Sequence, residues 1–588
     1  MCGFVLAHFK ETRDINQKQN ILSKSCDKYI RNRGPTYQES YSSENLFCYQ
    51  SVLSIQGGKY RSSKSNPVGS KKFILYNGEI YNYPSSDLTS SDTEILNNYH
   101  KNNKLNELLK ISDGMYAICA VERLNDNENI IDIYRDLAGE KHLWYFFNDE
   151  VLLISSIPAI IIEYLRKFST IEINTNILKD YLKRRHLISP EDHPIKGIKQ
   201  LLPGTHIKFK TDKWEAHTIE RRYLSSLLDK ELYKQLEGFK HNELIDYTKN
   251  AFSESIISMM NICSSRVKSS SIFSGGIDSS LTTYFINNFY DENKLLDVYT
   301  LLLNEKDSVA PNSRKMIDLL DKKERIKHNE IICEINNYYS SLIRSIEILG
   351  SPVNTHSIPS SYLVAKKASN DGNQVIYGGE GADELFMGYG CYLNLNNESI
   401  YNCATDNFND YPNITTCEKT QEQINSEKKV IKDIFNDFFG EEKYKNVIGE
   451  SYADFSIQLP NVGLLSTDTL NSDLGIECRT PFTREALLKL GLSMPIKHKI
   501  KLGEKDKTKI PLKNIFKNVF GGNNIYPKIG FAGYPNECLK FLPTINKWYV
   551  FNILEINFEE DKIFSRDELW KLINVEFFIR KIIYNEDI

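Results

Sequence analysis

The first two hundred residues alternate short apolar runs with polar turns. The runs are separated by glycine, asparagine and aspartate at the spacing of an antiparallel β-rich domain. A Leu-Leu-Pro-Gly turn at 201–204 ends this region. Strands are predicted over 2–9, 72–76, 115–122, 130–134 and 151–155, and a helix over 92–100.

From about residue 242 onward, the apolar positions recur at helical spacing. Strands that alternate with helices are typical of a parallel sheet with ligands at the carboxyl ends of its strands. The Asn-, Lys- and Glu-rich stretch 394–445 is interpreted as an irregular surface insertion. The predicted elements are a helix over 244–255, a strand at 272–273, a helix from about 279, and strands over 298–303 and 375–377.

Composition narrows the class of protein. A chain of 588 residues is too long for one ordinary core, so two or more domains are expected. The formal net charge of −4 argues against general nucleic-acid binding. No apolar run is long enough to span a bilayer, and no signal segment is recognised. The 11 cysteines are scattered singly, which favours a reducing compartment, so a cytoplasmic protein is expected.

Cys2 is the first candidate for chemistry, because it lies between the initiating methionine and a glycine. Removal of that methionine would place a thiol and a free α-amine on one residue, which could then be both nucleophile and its own base. A thiolate that attacks a carboxamide needs an oxyanion hole. Asn77 and the N–H of Gly78 are donors of the right type for it.

The stretch 77–82, Asn-Gly-Glu-Ile-Tyr-Asn, is predicted to form a loop after a strand. Binding of free glutamine requires a carboxylate for its α-ammonium, and Asp92 could serve. Each residue also fits a structural role, because Asn-Gly is a common hairpin turn and Ser91-Asp92 a common helix cap. Taken singly, these residues leave both interpretations open.

Residues 274–280, Ser-Gly-Gly-Ile-Asp-Ser-Ser, lie between a predicted strand and a predicted helix. The glycines would let backbone amides face a pyrophosphate, and the serines add hydroxyl donors. Asp278 would repel phosphate unless a cation lay between them, which implies Mg²⁺. A second glycine-rich loop, 378–384, contains Asp383, which would share that metal. The structural alternatives are a capped βα loop and an acidic surface turn.

Four N-terminal motifs occur in a characteristic order: Met-Cys-Gly at 1–3, Arg-Asn-Arg-Gly-Pro at 31–35, Asn-Gly-Glu-Ile-Tyr-Asn at 77–82 and Ser-Asp-Thr-Glu at 91–94. This half resembles the class II, N-terminal nucleophile glutamine amidotransferases. The resemblance implies that Cys2 attacks the glutamine amide while Asn77 and Gly78 stabilise the oxyanion. It also implies a set of glutamine-binding residues, namely Leu53, Ser54, Ile55, Asn77, Gly78, Glu79 and Asp92.

One departure concerns the glutamine α-carboxylate. The family places an arginine just before Leu-Ser-Ile to bind that group, and this chain has Val52 there. A buried carboxylate without its cation should bind less tightly by about 3 kcal/mol. Arg61 is the nearby cation that could substitute.

The C-terminal motifs are 274–280, Gly-Gly-Glu-Gly-Ala-Asp-Glu-Leu-Phe-Met-Gly-Tyr at 378–389, Gly-Ile-Glu-Cys-Arg-Thr-Pro-Phe at 475–482 and Lys-Ile-Gly-Phe at 528–531. They resemble the asparagine synthetases, within the ATP pyrophosphatases that form acyl-adenylates. The resemblance implies that Glu380 supports adenylate formation and ammonia attack, that Lys509 lies near the phosphates, and that Asp278 and Asp383 bind Mg²⁺. The implied ATP-binding residues are Ile272, Ser274, Gly275, Gly276, Asp278, Ser279, Leu301, Gly378 and Gly379.

This half also departs from its family. Pro511 is predicted to interrupt the helix that follows Lys509. The altered positions near the expected acceptor site leave the identity of the acceptor carboxylate open. The departures are Ser351-Pro352 for Glu-Pro, Met387 for glycine, Lys513 for arginine, and Asp468, Asn471 and Asp473 ahead of 475.

The resemblance covers nearly the whole chain and implies two domains. Residues 1–207 are expected to form an α+β N-terminal nucleophile αββα sandwich. Residues 225–588 are expected to form an α/β adenine-nucleotide-hydrolase-like domain with a parallel sheet. The expected function is a glutamine-dependent asparagine synthetase that uses glutamine, aspartate, ATP and Mg²⁺, with a homodimer left open.

Three alternatives remain from the sequence. The first is an amidotransferase of this architecture that acts on another carboxylate, in surface-polysaccharide or secondary-metabolite synthesis. The second is an enzyme like β-lactam synthetase, which needs no ammonia and is disfavoured by the presence of Cys2. The third is a scaffold without activity, which the intact Cys2, Asp278, Glu380 and Asp383 disfavour.

Overall fold

The structure is a computed structural model. It describes residues 2–56, 67–82, 91–184, 186, 189–304, 307, 309–393, 408–440, 445–504, 507–522, 533–534, 536–557 and 563–588. Arg61 and the 528–531 motif lie outside the described residues.

The strands of the described part fall into three sheets. In chain order they are β1 Cys2–Phe9, β2 Tyr37–Ser42, β3 Leu46–Val52, β4 Lys72–Ile80, β5 Gly114–Arg123, β6 Asn129–Arg135, β7 Trp144–Phe147, β8 Val151–Ser155, β9 Ile198–Gln200, β10 Thr205–Lys210, β11 Glu215–Arg221, β12 Ser269–Ile272, β13 Leu296–Leu302, β14 Ile326–Ile332, β15 Val375–Tyr377 and β16 Glu477–Arg479.

The helices lie outside these sheets. They are α1 Ile15–Tyr29, α2 Asp92–Lys101, α3 Leu105–Ile111, α4 Pro158–Phe168, α5 Thr175–Lys183, α6 Lys230–Gly238, α7 His241–Asn261, α8 Ile277–Phe289, α9 Val309–Asp318, α10 Ile335–Leu349, α11 Ile358–Asn370, α12 Ala382–Leu385, α13 Glu418–Phe439, α14 Lys445–Ala453, α15 Leu465–Asp473, α16 Glu485–Ser493, α17 Ile496–Lys499, α18 Ile510–Phe520, α19 Tyr549–Ile553 and α20 Arg566–Phe578.

The N-terminal part is an αββα sandwich, as the sequence predicted. One sheet has the order β2-β3-β1-β8-β7-β9 and the other β11-β10-β6-β5-β4, and neighbouring strands are antiparallel. Phe4 and Leu6 of β1 enter the core between the sheets, while Val5 and Ala7 face helices α1 and α4. Since both faces of β1 are buried, its sequence is apolar throughout.

The C-terminal part is built on a parallel sheet in the order β14-β13-β12-β15-β16. The carboxyl ends of β12, β13 and β15 therefore lie side by side, which is where such sheets bind ligands. This confirms the predicted α/β architecture. The first part continues to Arg221, because β10 and β11 complete its second sheet.

Two predictions about local structure were wrong. The stretch 394–445 is not irregular throughout, because 418–439 forms a helix that buries Ile424, Phe435 and Phe439. Pro511 does not interrupt the helix after Lys509. It lies in the first turn of α18, where a helix needs no N–H from that residue.

Candidate active sites

Cys2 lies at the start of the central strand β1 and is 1% exposed. Its backbone N–H donates to Asn77 Oδ1 at 3.2 Å, and its carbonyl accepts from Arg33 Nε at 3.2 Å. Asn77 belongs to the other sheet, so the hydrogen bond to it joins the two sheets at the nucleophile. The structure thus brings the predicted nucleophile and an oxyanion donor together.

The Asn77–Ile80 part of the predicted loop is instead the end of strand β4. It pairs with β5, with Asn77 opposite Ala117 and Gly78 opposite Tyr116. Gly78 has φ of +149°, and a Cβ there would collide with the Met115 carbonyl. Glycine is therefore required for the close approach of the two strands.

Two fully buried carboxylates lie at this end of the strand pair. Asp92 Oδ2 accepts from Tyr76 Oη at 2.8 Å and from the Ile80 N–H at 3.2 Å, while Asp92 Oδ1 accepts from the Thr93 N–H at 2.8 Å. The predicted helix cap is also confirmed, since Ser91 Oγ accepts from the N–H three residues later.

Glu79 is the second of these carboxylates and accepts a hydrogen bond from Gln56 Nε2. The same amide nitrogen lies 3.5 Å from Asp92 Oδ2. Sequence reasoning missed Gln56, because its contacts are with residues 23 and 36 positions away.

The predicted glutamine-binding segment of Leu53, Ser54 and Ile55 follows β3 directly. Val52 stands opposite Cys2 in the β1–β3 pair, so the position of the family's arginine is next to the nucleophile. The Ile55 carbonyl accepts from the Ser264 N–H of the C-terminal part at 2.9 Å. The two halves of the chain therefore touch at this segment.

The glycine-rich loop 274–280 of the second candidate site is stabilised by hydrogen bonds between two of its serines. Ser279 Oγ lies 3.0 Å from Ser274 Oγ and accepts from the Ser274 N–H at 3.2 Å. Gly275 has φ of +75°, and Gly276 caps α8, so backbone N–H groups at this helix end are presented as the sequence predicted. Ile272 and Leu301 end neighbouring strands at the same edge.

Lys509 joins the two predicted metal ligands. Its Nζ lies 2.6 Å from Asp278 Oδ2 and 2.7 Å from Asp383 Oδ1. Burial would lower the pKa of this ammonium, but the two carboxylates outweigh burial and raise it. Lys509 has φ of +48° and Met387 has φ of +55°, a conformation that favours glycine and is concentrated at functional sites.

The second glycine-rich loop packs against the first. A Cβ on Gly379 would lie 3.0 Å from Asp278 Cβ, and one on Gly378 would collide with Glu380 Oε2. In the part of the chain that the structure describes, Glu380 Oε2 is buried without a hydrogen-bond partner. Burial and then the charge of Asp278 raise the pKa of Glu380, so it retains its proton at higher pH than an exposed glutamate.

The donor set at Lys509 fits a divalent cation. Asp278 and Asp383 converge on one cationic nitrogen, and two carboxylates that share a site with phosphate oxygens are the ligands that Mg²⁺ prefers. These two residues would hold the ion.

A small cavity lies between the two halves of the chain. It is lined by Glu140 and Lys141 from the N-terminal part and by Glu380, Asp468, Cys478 and Thr480 among others from the C-terminal part. Lys141 Nζ lies 2.8 Å from Asp468 Oδ1, and Arg33 Nη2 lies 3.7 Å from Asp468 Oδ2. Arg33 therefore contacts both the Cys2 carbonyl and Asp468, and Asp468 lines the same cavity as Glu380.

A second charged contact crosses the same junction. Arg484 of the C-terminal part binds Glu140 and lies 3.0 Å from Asp113, and its guanidinium stacks over Tyr81 with 4.4 Å to the ring centroid. These partners are hundreds of residues apart, and no local pattern in the sequence indicates the pairing.

Comparison with known proteins supports both halves. A family model for the glutamine amidotransferase domain matches residues 1–223, and one for asparagine synthase matches residues 252–531. The chain is therefore similar to glutamine amidotransferases in its first part and to asparagine synthases in its second part. The two matched regions follow the order of the two candidate sites along the chain.

Two curated relatives of the synthetase family show the extent of the similarity. A Methanocaldococcus jannaschii protein, provisionally named asparagine synthetase [glutamine-hydrolyzing] 1, is 26% identical over 446 residues, 73% of this chain and 65% of the relative. Asparagine synthetase [glutamine-hydrolyzing] 1 of Bacillus subtilis is 26% identical over 408 residues, 67% of this chain and 59% of the relative. The matched parts are thus less than two thirds of these relatives' length.

Two solved structures match at low TM-scores. One, described as the allosteric regulatory enzyme of purine biosynthesis, gives a TM-score of 0.25 at 11% identity over 56% of this chain and 80% of its own. The other is glutamine phosphoribosylpyrophosphate amidotransferase from B. subtilis with ADP and GMP. It gives a TM-score of 0.24 at 12% identity, over 70% of this chain and 97% of its own. Scores this low add nothing to the argument, which rests on the sheets. No helix among the residues that the structure describes is long and apolar enough to cross a membrane.

Proposed function

We propose that this chain hydrolyses glutamine at Cys2 and uses the ammonia to amidate aspartate that ATP has activated, giving asparagine. One observation carries the proposal. Arg33 binds the Cys2 carbonyl and faces Asp468, and Asp468 lines a small cavity together with Glu380. Arg33 and Asp468 therefore link the nucleophile of one candidate site to the candidate acid–base group of the other.

In the first half-reaction, Cys2 Sγ attacks the glutamine amide carbon and its proton passes to the α-amine freed by removal of Met1. Asn77 and the Gly78 N–H stabilise the oxyanion. The α-ammonium then returns this proton to the leaving nitrogen, so collapse of the intermediate breaks the C–N bond, releases ammonia and leaves a thioester, which water hydrolyses to glutamate. The buried Glu79 and Asp92 supply the negative charge that the substrate's α-ammonium requires.

In the second half-reaction, the aspartate β-carboxylate attacks the α-phosphate of ATP and pyrophosphate leaves. Lys509 offsets the negative charge that builds on the phosphates, and the 274–276 loop holds them by its N–H groups. Mg²⁺, held by Asp278 and Asp383, would screen the same charge. Ammonia then attacks the acyl-adenylate and displaces AMP, and Glu380 accepts the proton that the new amide loses.

In this proposal ammonia passes from the first site to the second through the junction of the two halves, where the small cavity lies beside Glu380. Ammonium predominates in neutral water and is not a nucleophile, so ammonia that escaped would be lost to the reaction. Cys478 and Thr480 line the cavity together with Glu380. Its position between the two sites supports transfer inside the protein.

Two of the altered positions that left the acceptor carboxylate open form ion pairs with basic side chains. Asp468 binds Lys141 and faces Arg33, and Asp473 accepts from Arg344 at 2.6 and 3.0 Å. These contacts give both aspartates a role in joining neighbouring elements. Aspartate stays the proposed acceptor, with other carboxylates as outcomes of the test.

The test measures pyrophosphate release with ATP, Mg²⁺ and glutamine, with and without aspartate. Wild type, Cys2→Ala and the matched control Cys48→Ala, a buried cysteine on the neighbouring strand, are compared. We expect aspartate-dependent release, lost in Cys2→Ala with glutamine but retained with ammonia. The control should retain both activities.

Release with a different carboxylate and not with aspartate would overturn the proposed acceptor. Absence of pyrophosphate release with every carboxylate of a panel would overturn the ligase proposal itself. Glutamine-dependent synthesis that survives in Cys2→Ala would overturn the role of Cys2.

A further inference from the structure

Gln56 is the least expected residue of the glutaminase site. Its side chain is 2% exposed, and its amide Nε2 donates to Glu79 and lies 3.5 Å from Asp92 Oδ2. It therefore stands against both of the carboxylates to which the substrate's α-ammonium is assigned.

One of these carboxylates accepts several further hydrogen bonds. Three donors hold Asp92, at 2.8 Å from Tyr76, 3.2 Å from Ile80 and 2.8 Å from Thr93. These bonds hold the Asp92 carboxylate in place next to Glu79, and the amide of Gln56 faces both groups.

Gln50, a buried glutamine on the preceding strand β3, offers a comparison, because both ends of its side-chain amide form hydrogen bonds. Gln50 donates from Nε2 to the Tyr76 carbonyl at 3.2 Å and accepts at Oε1 from the Tyr76 N–H at 3.3 Å, so both ends are used. Gln56 Oε1, in contrast, is buried without a hydrogen-bond partner among the described residues. Among the described residues, its amide nitrogen contacts these two carboxylates.

We propose that Gln56 is a specificity-determining plug of the glutaminase site: its amide occupies the carboxylates that receive the α-ammonium, and glutamine binds only by displacing it. This inference rests on the proposed glutaminase function. The ammonium and the amide compete for the same oxygens of Glu79 and Asp92. Ligands that lack an α-ammonium do not compete there and gain nothing from removal of the plug.

The test is calorimetric binding to full-length Cys2→Ala protein, which cannot turn glutamine over. The ligands are glutamine and 4-carbamoylbutanoate, which is glutamine without its α-amine. The added variants are Gln56→Ala, Gln56→Leu, which keeps bulk without hydrogen bonds, and the control Gln50→Ala. Thermal melting confirms that each variant is folded.

We expect both Gln56 variants to bind glutamine about tenfold more tightly, because a hydrogen bond to a charged group no longer has to be broken. Their affinity for 4-carbamoylbutanoate should not change, and Gln50→Ala should not tighten either ligand. Should Gln56→Ala fail to fold, Gln56→Leu makes the same test.

Unchanged or weaker glutamine binding would overturn the plug and leave the glutaminase proposal standing. Equal tightening of both ligands would also overturn it, because Gln56 would then act only by bulk. If no variant binds glutamine, the glutaminase proposal fails and the plug fails with it. If only the Gln56 variants bind glutamine, the plug is supported, because Gln56 then prevents measurable binding by itself.

Discussion

The two candidate sites place different donors against their carboxylates. At the glutaminase site, the neutral amide of Gln56 contacts Glu79 and Asp92. At the synthetase site, the cationic Lys509 contacts Asp278 and Asp383. A substrate ammonium can replace the amide because it offers a full positive charge, whereas a nucleotide brings further negative charge. We therefore expect Lys509 to stay in place when nucleotide binds and Gln56 to be displaced when glutamine binds. Removal of Lys509 should weaken the synthetase reaction, whereas removal of Gln56 should strengthen glutamine binding.

The largest effect is expected from Lys509→Met, which keeps the bulk but removes the charge. Pyrophosphate release should fall about 10²–10³-fold, the usual loss when one charge-stabilising donor is removed from an active site. Glutamine hydrolysis should stay near the wild-type rate, since Lys509 touches only the second site. Both rates are measured on the same preparation.

Lys517→Met is the matched control, since this exposed lysine lies on the same helix. It should leave both rates unchanged. A loss of less than tenfold in Lys509→Met would mean that the carboxylate pair does not depend on the lysine when nucleotide is bound, and the contrast with Gln56 would not hold.

The next effect concerns the junction between the sites. Arg484→Met leaves Glu140 buried without its cation, and removal of one partner of a buried pair typically costs 3–5 kcal/mol. We expect the free energy of unfolding, measured in urea, to fall by about 3 kcal/mol. Glutamate should also be formed in excess over asparagine, because ammonia leaks from a loosened junction.

Arg314→Met tests whether the burial of Arg484 matters. Arg314 also pairs with a glutamate, at 2.6 Å from Glu330, but its side chain is 60% exposed. Exposed pairs contribute at most about 1 kcal/mol. If both variants lose the same stability, or if Arg484→Met keeps glutamate and asparagine in a one-to-one ratio, the junction does not couple the sites.

The sequence predicted the strands well where local pattern decides. Strands β1 and β8 have the predicted bounds, because residues buried on both faces form compact apolar runs with polar ends. The motif at 77–80 was assigned to a loop because Asn-Gly favours turns. Pairing with β5 across the sheet outweighs that preference, and pairing is not a local property.

The helix α13 was missed for a related reason. Its composition is polar, yet its buried positions 420, 424, 428, 435 and 439 recur mostly at intervals of four, which places them on one face. Only two of the five, Phe435 and Phe439, are aromatic, and two others are polar, so hydrophobicity alone does not mark this face.

At the sites, residue types were predictable but partners were not. The family motifs indicated Cys2, Asn77, Asp278 and Asp383, and the structure brings the first pair and the last pair together. Gln56 and Arg484 act through residues distant in sequence, and each would fit an ordinary surface or core position. Their significance appears only when the charges around them are known.

The smallest effect isolates an acid near Lys509. Glu384 is buried next to Asp383 and accepts a hydrogen bond from Tyr389 at 2.7 Å. Burial first, and then the charge of Asp383, raise the pKa of Glu384 to about 7. The folded state therefore binds more protons than the unfolded state between about pH 4.5 and 7, so this group lowers stability as pH rises through that window.

Glu384→Gln removes this titration while keeping an acceptor for the tyrosine. We expect the variant to exceed wild type in free energy of unfolding by roughly 3 kcal/mol at pH 8 and by little at pH 4.5. The exposed Glu292→Gln controls for the change in net charge and should show a smaller difference. A Glu384→Gln gain that is the same at both pH values would mean that Glu384 is not held protonated by its surroundings, and that Lys509 compensates all three carboxylates of the site.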